Sequence, residues 1–100
     1  MTLPASIQKV IDLGVRKSAP ERVVLFGSRA RGDASPTSDY DLVFFGVREM
    51  AGWHDFAAEI AFESPSLFGI DVMRYEALPP EIQASVDAEG KSVYEDNQRR

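Results

Sequence analysis

The pattern of apolar and polar residues along the chain predicts two amphipathic helices. From Pro4 to Lys17, apolar residues recur at helical spacing with polar and charged residues between them, and the same spacing returns over residues 49–63. A last helix is predicted over residues 79–88, which open on a proline pair that suits a first helical turn. Gly90 is expected to end this helix. A single short helical turn is predicted over residues 29–33.

Between these helices, a wholly apolar run over residues 23–26 predicts a buried strand. A second strand is predicted over 39–45, which is apolar except for two carboxylates at its start. A third strand is predicted over 69–75 and carries Asp71, and a short extended piece is predicted over 91–95. A helix connects the second strand to the third, and such crossovers are right-handed and join parallel strands. The link between the first two strands is too short for a crossover, which predicts an antiparallel pair. We therefore expect an α/β (α+β) fold, a small mixed β-sheet flanked by helices, in a single domain spanning residues 1–100.

Composition excludes several classes of function. The 100 residues contain no cysteine and one histidine, so disulfide scaffolds, thiolate zinc sites and cysteine nucleophiles are excluded. The net charge of −5 disfavours nonspecific nucleic-acid binding, which depends on phosphate neutralisation; no direct DNA binding is expected. No apolar run approaches the ~18 residues of a membrane span, and the N-terminus lacks an export-signal pattern. These features predict a cytoplasmic protein without membrane contact.

Three carboxylates at strand starts are the first candidate for chemistry. Asp39 and Asp41 are two residues apart at the head of an apolar strand, so their side chains share one face with Cα atoms about 6.6 Å apart. Parallel pairing of the second and third strands brings Asp71 to the same edge. Clustered carboxylates repel one another, and Mg²⁺ together with substrate phosphates relieves that repulsion.

A glycine and a serine directly after the first strand are the second candidate. Gly27 lets the backbone approach a phosphate, and Ser28 is predicted to cap the short helix that follows. The free N–H groups at the start of that helix attract anions, while Arg29 and Arg31 add positive charge and paired donors. A Gly-Ser pair alone is common, and taken alone it is better explained as an ordinary strand-to-turn connection.

The two elements together resemble a known family. Gly27-Ser28, ten intervening residues and Asp39-Tyr40-Asp41 match the Gly-Ser…Asp-x-Asp signature of the DNA polymerase β-like nucleotidyltransferases. The fuller string over 27–32, with Ser38 to Leu42, resembles the minimal nucleotidyltransferase (MNT) family, whose members are known as antitoxins of HEPN toxins. The acidic third strand also fits, and the resemblance covers nearly the whole chain.

The resemblance implies a nucleotide-transfer site. Asp39 and Asp41 would hold Mg²⁺ on the triphosphate of ATP, with two ions in all. Asp71 would complete the metal site and help to activate the attacking hydroxyl. Gly27 and Ser28 would hold the β- and γ-phosphates. AMP would then pass to a hydroxyl, most simply a tyrosine, of a cognate HEPN ribonuclease toxin.

Two other functions remain open from the sequence. One is a non-catalytic antitoxin that neutralises its partner by occlusion, and the other is a nucleotidyltransferase acting on a small molecule or RNA. The chain length leaves no room for the acceptor domain of larger relatives, which favours a partner protein as acceptor. Three further aromatic residues are expected in the core, with one of them open to serve a partner surface instead: Trp53, Phe56 and Phe62. Tyr40 is expected to pack inside the fold, and His54 is expected on the surface.

Overall fold

The computed structural model describes residues 3–36, 38–62 and 69–96. Within these residues, no helix is long and apolar enough to cross a membrane. The predicted elements are present, with ends that differ from the prediction by one or two residues. In chain order the elements are α1 (Ala5–Ser18), β1 (Arg22–Phe26), α2 (Ser28–Arg31), β2 (Tyr40–Phe45), α3 (Met50–Phe62), β3 (Ile70–Arg74), a 3₁₀ turn (Tyr75–Ala77), α4 (Pro80–Glu89) and β4 (Lys91–Glu95).

The four strands form one mixed sheet in the order β3-β2-β1-β4. Strands β1 and β2 are antiparallel and β2 and β3 are parallel, as the lengths of their connections predict. The extended piece at 91–95 joins β1 as an antiparallel edge strand, with an irregularity in register at Val23/Val24. The fold is therefore the predicted α+β sheet flanked by helices.

Helices cover both faces of the sheet. On one face, α1 and α3 bury alternate residues of the central strands, and Phe44 packs with ring centroids 5.2 Å from Trp53 and 5.4 Å from Phe56. On the other face, α4 contributes Val86 to a smaller cluster with Val24 and Val43 of the central strands. This second face also carries the odd-numbered residues of β2 and β3, whose first members are acidic.

The core prediction for α3 holds for Trp53 and Phe56, which are buried, and is wrong for Phe62, which is 87% exposed. Phe62 follows the buried Ile60 by two residues, about 200° around the helix, so it points to the opposite side. His54 is exposed, as predicted. The predicted end of this helix at residues 63–65 lies outside the described residues.

Gly90 ends α4 as predicted, but for a different reason. Its backbone is extended, with φ −69°, and not left-handed. A side chain at this position would overlap the Val24 side chain and would lie 2.6 Å from the carbonyl oxygen of Val86. Glycine is therefore used here for the close approach of α4 to β1.

Candidate active site

The candidate acids meet at one edge of the sheet because β1 ends where β2 and β3 begin. In the antiparallel pair, Asp41 lies opposite Phe26, the last residue of β1. In the parallel pair, Asp41 lies beside Asp71. The residue Gly27, which follows β1 directly, therefore sits next to Asp41. The sheet topology brings two of the predicted carboxylates and the predicted phosphate loop together.

Burial and two neighbouring carboxylates raise the pKa of Asp41. Loss of solvent around this half-buried carboxyl is the main cause, followed by the negative charges of Asp71 and Asp39 and by a hydrogen bond between the Asp41 and Asp71 side chains. Each of these effects disfavours the ionised form. The three predicted acids thus interact electrostatically, and the metal-free site holds a proton on Asp41 to a higher pH than a solvated aspartate does.

The donor set fits a divalent cation that arrives with phosphates. Within residues 3–36, 38–62 and 69–96, no three His, Cys, Asp or Glu side chains converge closely enough to hold a metal by themselves. However, Asp41 and Asp71 present adjacent hard oxygen donors whose mutual repulsion a cation would relieve. Mg²⁺ is typically held by one or two carboxylates with waters and substrate phosphates completing its octahedron.

Replacing Asp41 by asparagine is expected to stabilise the metal-free protein at neutral pH. The pKa of Asp41 is higher in the folded protein than in the unfolded chain. Ionisation of Asp41 at neutral pH therefore lowers the free energy of unfolding. Solvent screening limits the gain of Asp41→Asn to about 1 kcal/mol, or roughly 4–8 °C in Tm for a domain of this size.

Thermal melts in EDTA at several pH values measure this effect. The advantage of Asp41→Asn should be present at pH 7, should shrink as the pH falls through the raised folded-state pKa of Asp41, and should be gone well below about 4, where the carboxyl is protonated in both states. Asp12→Asn, at an exposed position on α1, is the control and should show no such pH-dependent gain. A lower Tm for Asp41→Asn at pH 7 would contradict the electrostatic account.

Gly27 has a backbone conformation that only glycine adopts readily. Its φ of 79° and ψ of −156° place it in a region that side chains exclude. A Cβ atom here would lie 2.6 Å from Oδ2 of Asp41. The absence of a side chain at Gly27 therefore leaves the space that the Asp41 carboxylate occupies. The Gly27 carbonyl accepts hydrogen bonds from the N–H groups of Ala30 and Arg31 in α2, both at 3.0 Å.

Gly27→Ala is expected to destabilise the fold and to displace the Asp41 carboxylate. The backbone strain alone costs about 1–3 kcal/mol, which chemical denaturation will measure. Gly32→Ala is the matched control: Gly32 also has a positive φ, 85°, but a side chain there meets nothing within 4 Å. If both variants lost the same stability and bound nucleotide equally well, the contact between Gly27 and Asp41 would be unimportant.

The capping role predicted for Ser28 is wrong. Gly27 occupies the N-cap position of α2, and no side-chain cap hydrogen bond is present. Ser28 is the first residue of the helix, so its hydroxyl does not need to satisfy the helix N-terminus. Its predicted contact with a phosphate stays a prediction, and its partly exposed side chain sits beside Gly27 at the acidic edge.

The two arginines of α2 have separate surroundings. Arg29 donates hydrogen bonds to the carbonyls of Pro36 and Ser38 in the loop before β2. Arg31 pairs with Asp33 at 3.2 Å and with Glu89 of α4 at 3.4 Å, and the hydrogen bond to Asp33 raises its pKa. The phosphate contacts expected of Arg29 and Arg31 remain predictions, and in the metal-free chain Arg29 is engaged with the loop backbone.

Gly69 is a site residue that the sequence reasoning missed. It precedes β3, and the Asp39 carboxylate occupies the place where a side chain at Gly69 would lie. The Tyr40 N–H donates to the Gly69 carbonyl at 2.9 Å. A glycine at the start of a predicted strand, next to a predicted acidic site, is the signal that would have found it.

A cavity of about 490 Å³ lies away from this edge. Its walls come from the end of α1, from Arg48 and from the end of β4, including Ala19, Tyr94 and Asp96. The Arg48 guanidinium pairs with the Asp96 carboxylate at 2.9 Å inside it. None of the predicted site residues lines this cavity, so it takes no part in the candidate active site.

Comparison with known proteins places this arrangement in context. Residues 8–99 match the family model described as polymerase beta nucleotidyltransferase. No curated protein matches the sequence at a significant level.

Several solved structures share the fold. A chain of a toxin–antitoxin complex with AMP-PNP superposes with a TM-score of 0.67 at 20% identity, over 93% of this chain and 73% of that chain. A chain from a complex of tri-AMPylated Shewanella oneidensis HEPN toxin with MNT antitoxin gives a TM-score of 0.61 at 18% identity, over 93% and 72%. A protein classed as a minimal nucleotidyltransferase gives 0.62 at 27% identity, over 84% and 85%.

Proposed function

Because the chain belongs to the polymerase β nucleotidyltransferase family, we propose that it transfers AMP from ATP to a protein hydroxyl at the Asp41–Asp71 edge. The observation that carries this proposal is the adjacency of these two carboxylates, with the backbone of Gly27 against Asp41. In this arrangement, oxygen donors for a cation and a backbone suited to phosphate lie side by side. An arrangement that served only for packing would not need the unfavourable carboxylate pair.

The proposed reaction is an in-line displacement at the α-phosphorus. The acceptor oxygen forms a bond to phosphorus while the bond to the bridging oxygen of pyrophosphate breaks, and pyrophosphate leaves. Mg²⁺ bound with the nucleotide would neutralise the triphosphate charge there. Asp39 and Asp41 would hold this Mg²⁺, and Asp71 would accept the hydroxyl proton of the acceptor.

The phosphate chain would lie over the start of α2. The Gly27 backbone, free of a side chain, and the Ser28 hydroxyl would contact the β- and γ-phosphates. Arg31 is exposed enough to reach an anion, although it must share its charge with Asp33 and Glu89. The roles of these residues rest on their position at the acidic edge and on the family's signature.

We further propose that the acceptor is a tyrosine hydroxyl of a cognate HEPN toxin and that the chain is its antitoxin. Support comes from the fold neighbours, one of them in complex with AMP-PNP and another from a complex in which the HEPN toxin is tri-AMPylated. At 20% and 18% identity, these neighbours share the fold with this chain, and the HEPN partner and the tyrosine acceptor are our proposal. Incubation with ATP, Mg²⁺ and a HEPN protein encoded beside this chain tests it.

Ser28→Ala is expected to reduce transfer without reducing stability. Since Ser28 makes no cap hydrogen bond, its loss should change the free energy of unfolding by no more than about 0.5 kcal/mol, as at other surface positions. A lost contact to a charged phosphate costs about 1.5–3 kcal/mol, or roughly 10- to 150-fold in kcat/KM.

Paired denaturation and steady-state assays separate the two effects of this change. Ser85→Ala on α4 is the control, because that exposed serine hydroxyl contacts only the backbone one turn earlier in its own helix. Transfer by Ser28→Ala within about twofold of wild type would exclude the phosphate contact.

A further inference from the structure

Asp39 is the least constrained of the three acids. It precedes the first paired residue of β2 and is exposed, whereas Asp41 and Asp71 lie within paired strands. A carboxylate that must meet a cation and a triphosphate needs a fixed position, since small displacements weaken such sites. Two neighbours that are not part of the metal and phosphate set supply that constraint.

Arg29 contacts the chain on both sides of Asp39: the loop backbone before it and the aromatic ring of the residue after it. Its Nε and Nη2 atoms donate to the Ser38 carbonyl at 3.3 and 3.0 Å, and Nη2 also donates to the Pro36 carbonyl at 3.3 Å. The guanidinium carbon lies 4.3 Å from the ring centroid of Tyr40, which is 5% exposed and belongs to the core. The planar guanidinium therefore joins the residue before Asp39 to the residue after it.

This geometry turns Arg29 away from the phosphate loop. Successive side chains of a strand point to opposite faces, so Tyr40 lies on the α1/α3 face and Asp41 on the other. A guanidinium stacked on Tyr40 is on the far side of the sheet from Asp41. Its hydrogen bonds to backbone carbonyls also occupy donors that a phosphate contact would need.

Gly69 leaves the space in which the Asp39 side chain lies. A Cβ atom at Gly69 would overlap Oδ1 of Asp39 and would lie 2.8 Å from its Cγ. The φ of Gly69 is not in the left-handed region, so backbone conformation does not require glycine here. The requirement is space for the carboxylate. The Gly69 carbonyl also accepts the Tyr40 N–H at 2.9 Å, which fixes the spacing between the two segments.

We propose that Arg29 and Gly69 are positioning residues that hold Asp39 in place for the metal–nucleotide complex. The consequence for binding rests on the proposed function, while the clamp itself is a property of the metal-free chain. Arg29 acts through the backbone around Asp39, and Gly69 acts by leaving room for the carboxylate. Neither residue touches the reacting atoms.

The decisive variants are Arg29→Lys and Gly69→Ala. Lysine keeps the positive charge but loses the planar pair of donors and the stacking geometry, so a phosphate ligand would tolerate it better than a clamp would. Gly69→Ala removes none of the Arg29 contacts and displaces the Asp39 carboxylate. Arg16→Lys, at an exposed position on α1, is the control for the arginine exchange.

Two measurements are made on each variant. Hydrogen exchange of the Tyr40 amide in the metal-free chain reports the clamp, and calorimetric titration with AMP-PNP in Mn²⁺ reports the site. Arg29→Lys should speed Tyr40 exchange by about tenfold and weaken Mn²⁺-dependent AMP-PNP binding by about 10- to 100-fold. Gly69→Ala should weaken binding to a similar extent with little effect on exchange.

The Asp39→Ala background gives the test its specificity. If Arg29 and Gly69 act through Asp39, neither variant should weaken binding further once Asp39 is alanine. Wild-type Tyr40 exchange and wild-type binding in Arg29→Lys would overturn the Arg29 role, and full additivity with Asp39→Ala would overturn both roles. If wild-type protein failed to bind AMP-PNP, the proposed function would fall, and the Tyr40 exchange rates would still decide the clamp.

Discussion

The double substitution Asp39→Ala and Asp41→Ala is expected to abolish Mg²⁺-dependent ATP binding and nucleotide transfer. With both carboxylates gone, Asp71 alone faces the triphosphate, and the charge of the phosphates is no longer neutralised. A loss of about 4 kcal/mol of transition-state stabilisation corresponds to about a thousandfold in rate. The fold should persist, because the substitution relieves the repulsion that raises the pKa of Asp41.

Calorimetric titration with ATP, in Mg²⁺ and in EDTA, measures the binding loss directly. Asp12→Ala combined with Asp55→Ala removes the same two charges from exposed positions on α1 and α3, and this control should bind ATP like wild type. Circular dichroism establishes that each variant is folded. Equal affinity for ATP with and without Asp39 and Asp41 would refute the site.

The second large effect concerns how a toxin partner is neutralised. An enzyme that adenylylates the toxin should neutralise many toxin molecules per chain, so that a molar ratio of about one to twenty suffices. Added nucleotides place negative charge where RNA phosphates must bind, and this repulsion blocks the toxin's substrate. The effect should also persist after the antitoxin has been removed.

A ribonuclease assay on toxin treated with tagged antitoxin and ATP, then depleted of the tagged chain, measures both features. Omission of ATP is the first control and the Asp39→Ala, Asp41→Ala variant is the second; both should leave the toxin active at low ratio. Neutralisation that requires equal amounts, ignores ATP and is lost on depletion would establish an occluding antitoxin instead.

The sheet and its acidic edge were predictable because local patterns determine them. The apolar runs mark the strands, and the lengths of the connections determine that β2 is parallel to β3 and antiparallel to β1. Together these place Asp41 beside Asp71 and close to Gly27 without any tertiary information. The family resemblance then gave these residues a chemical meaning that spacing alone does not give.

What the sequence did not predict depends on long-range contacts. Arg29 follows a phosphate-loop motif and carries a charge, so a phosphate contact was the natural expectation; only the fold shows it stacked on Tyr40. Gly69 has its role because Asp39, thirty residues earlier, needs its space. Phe62 has the large apolar side chain of a core residue, but its position around α3 points that side chain away from the core.

The central claim is that this chain moves a nucleoside monophosphate and not a phosphoryl group. The most direct test is a transfer assay with a HEPN partner, Mg²⁺ and ATP labelled in parallel at the α- or the γ-phosphate. The account predicts that α-label becomes covalently attached to the partner while γ-label leaves as pyrophosphate. Attachment of γ-label, or of neither label under conditions where the partner is neutralised, would contradict it.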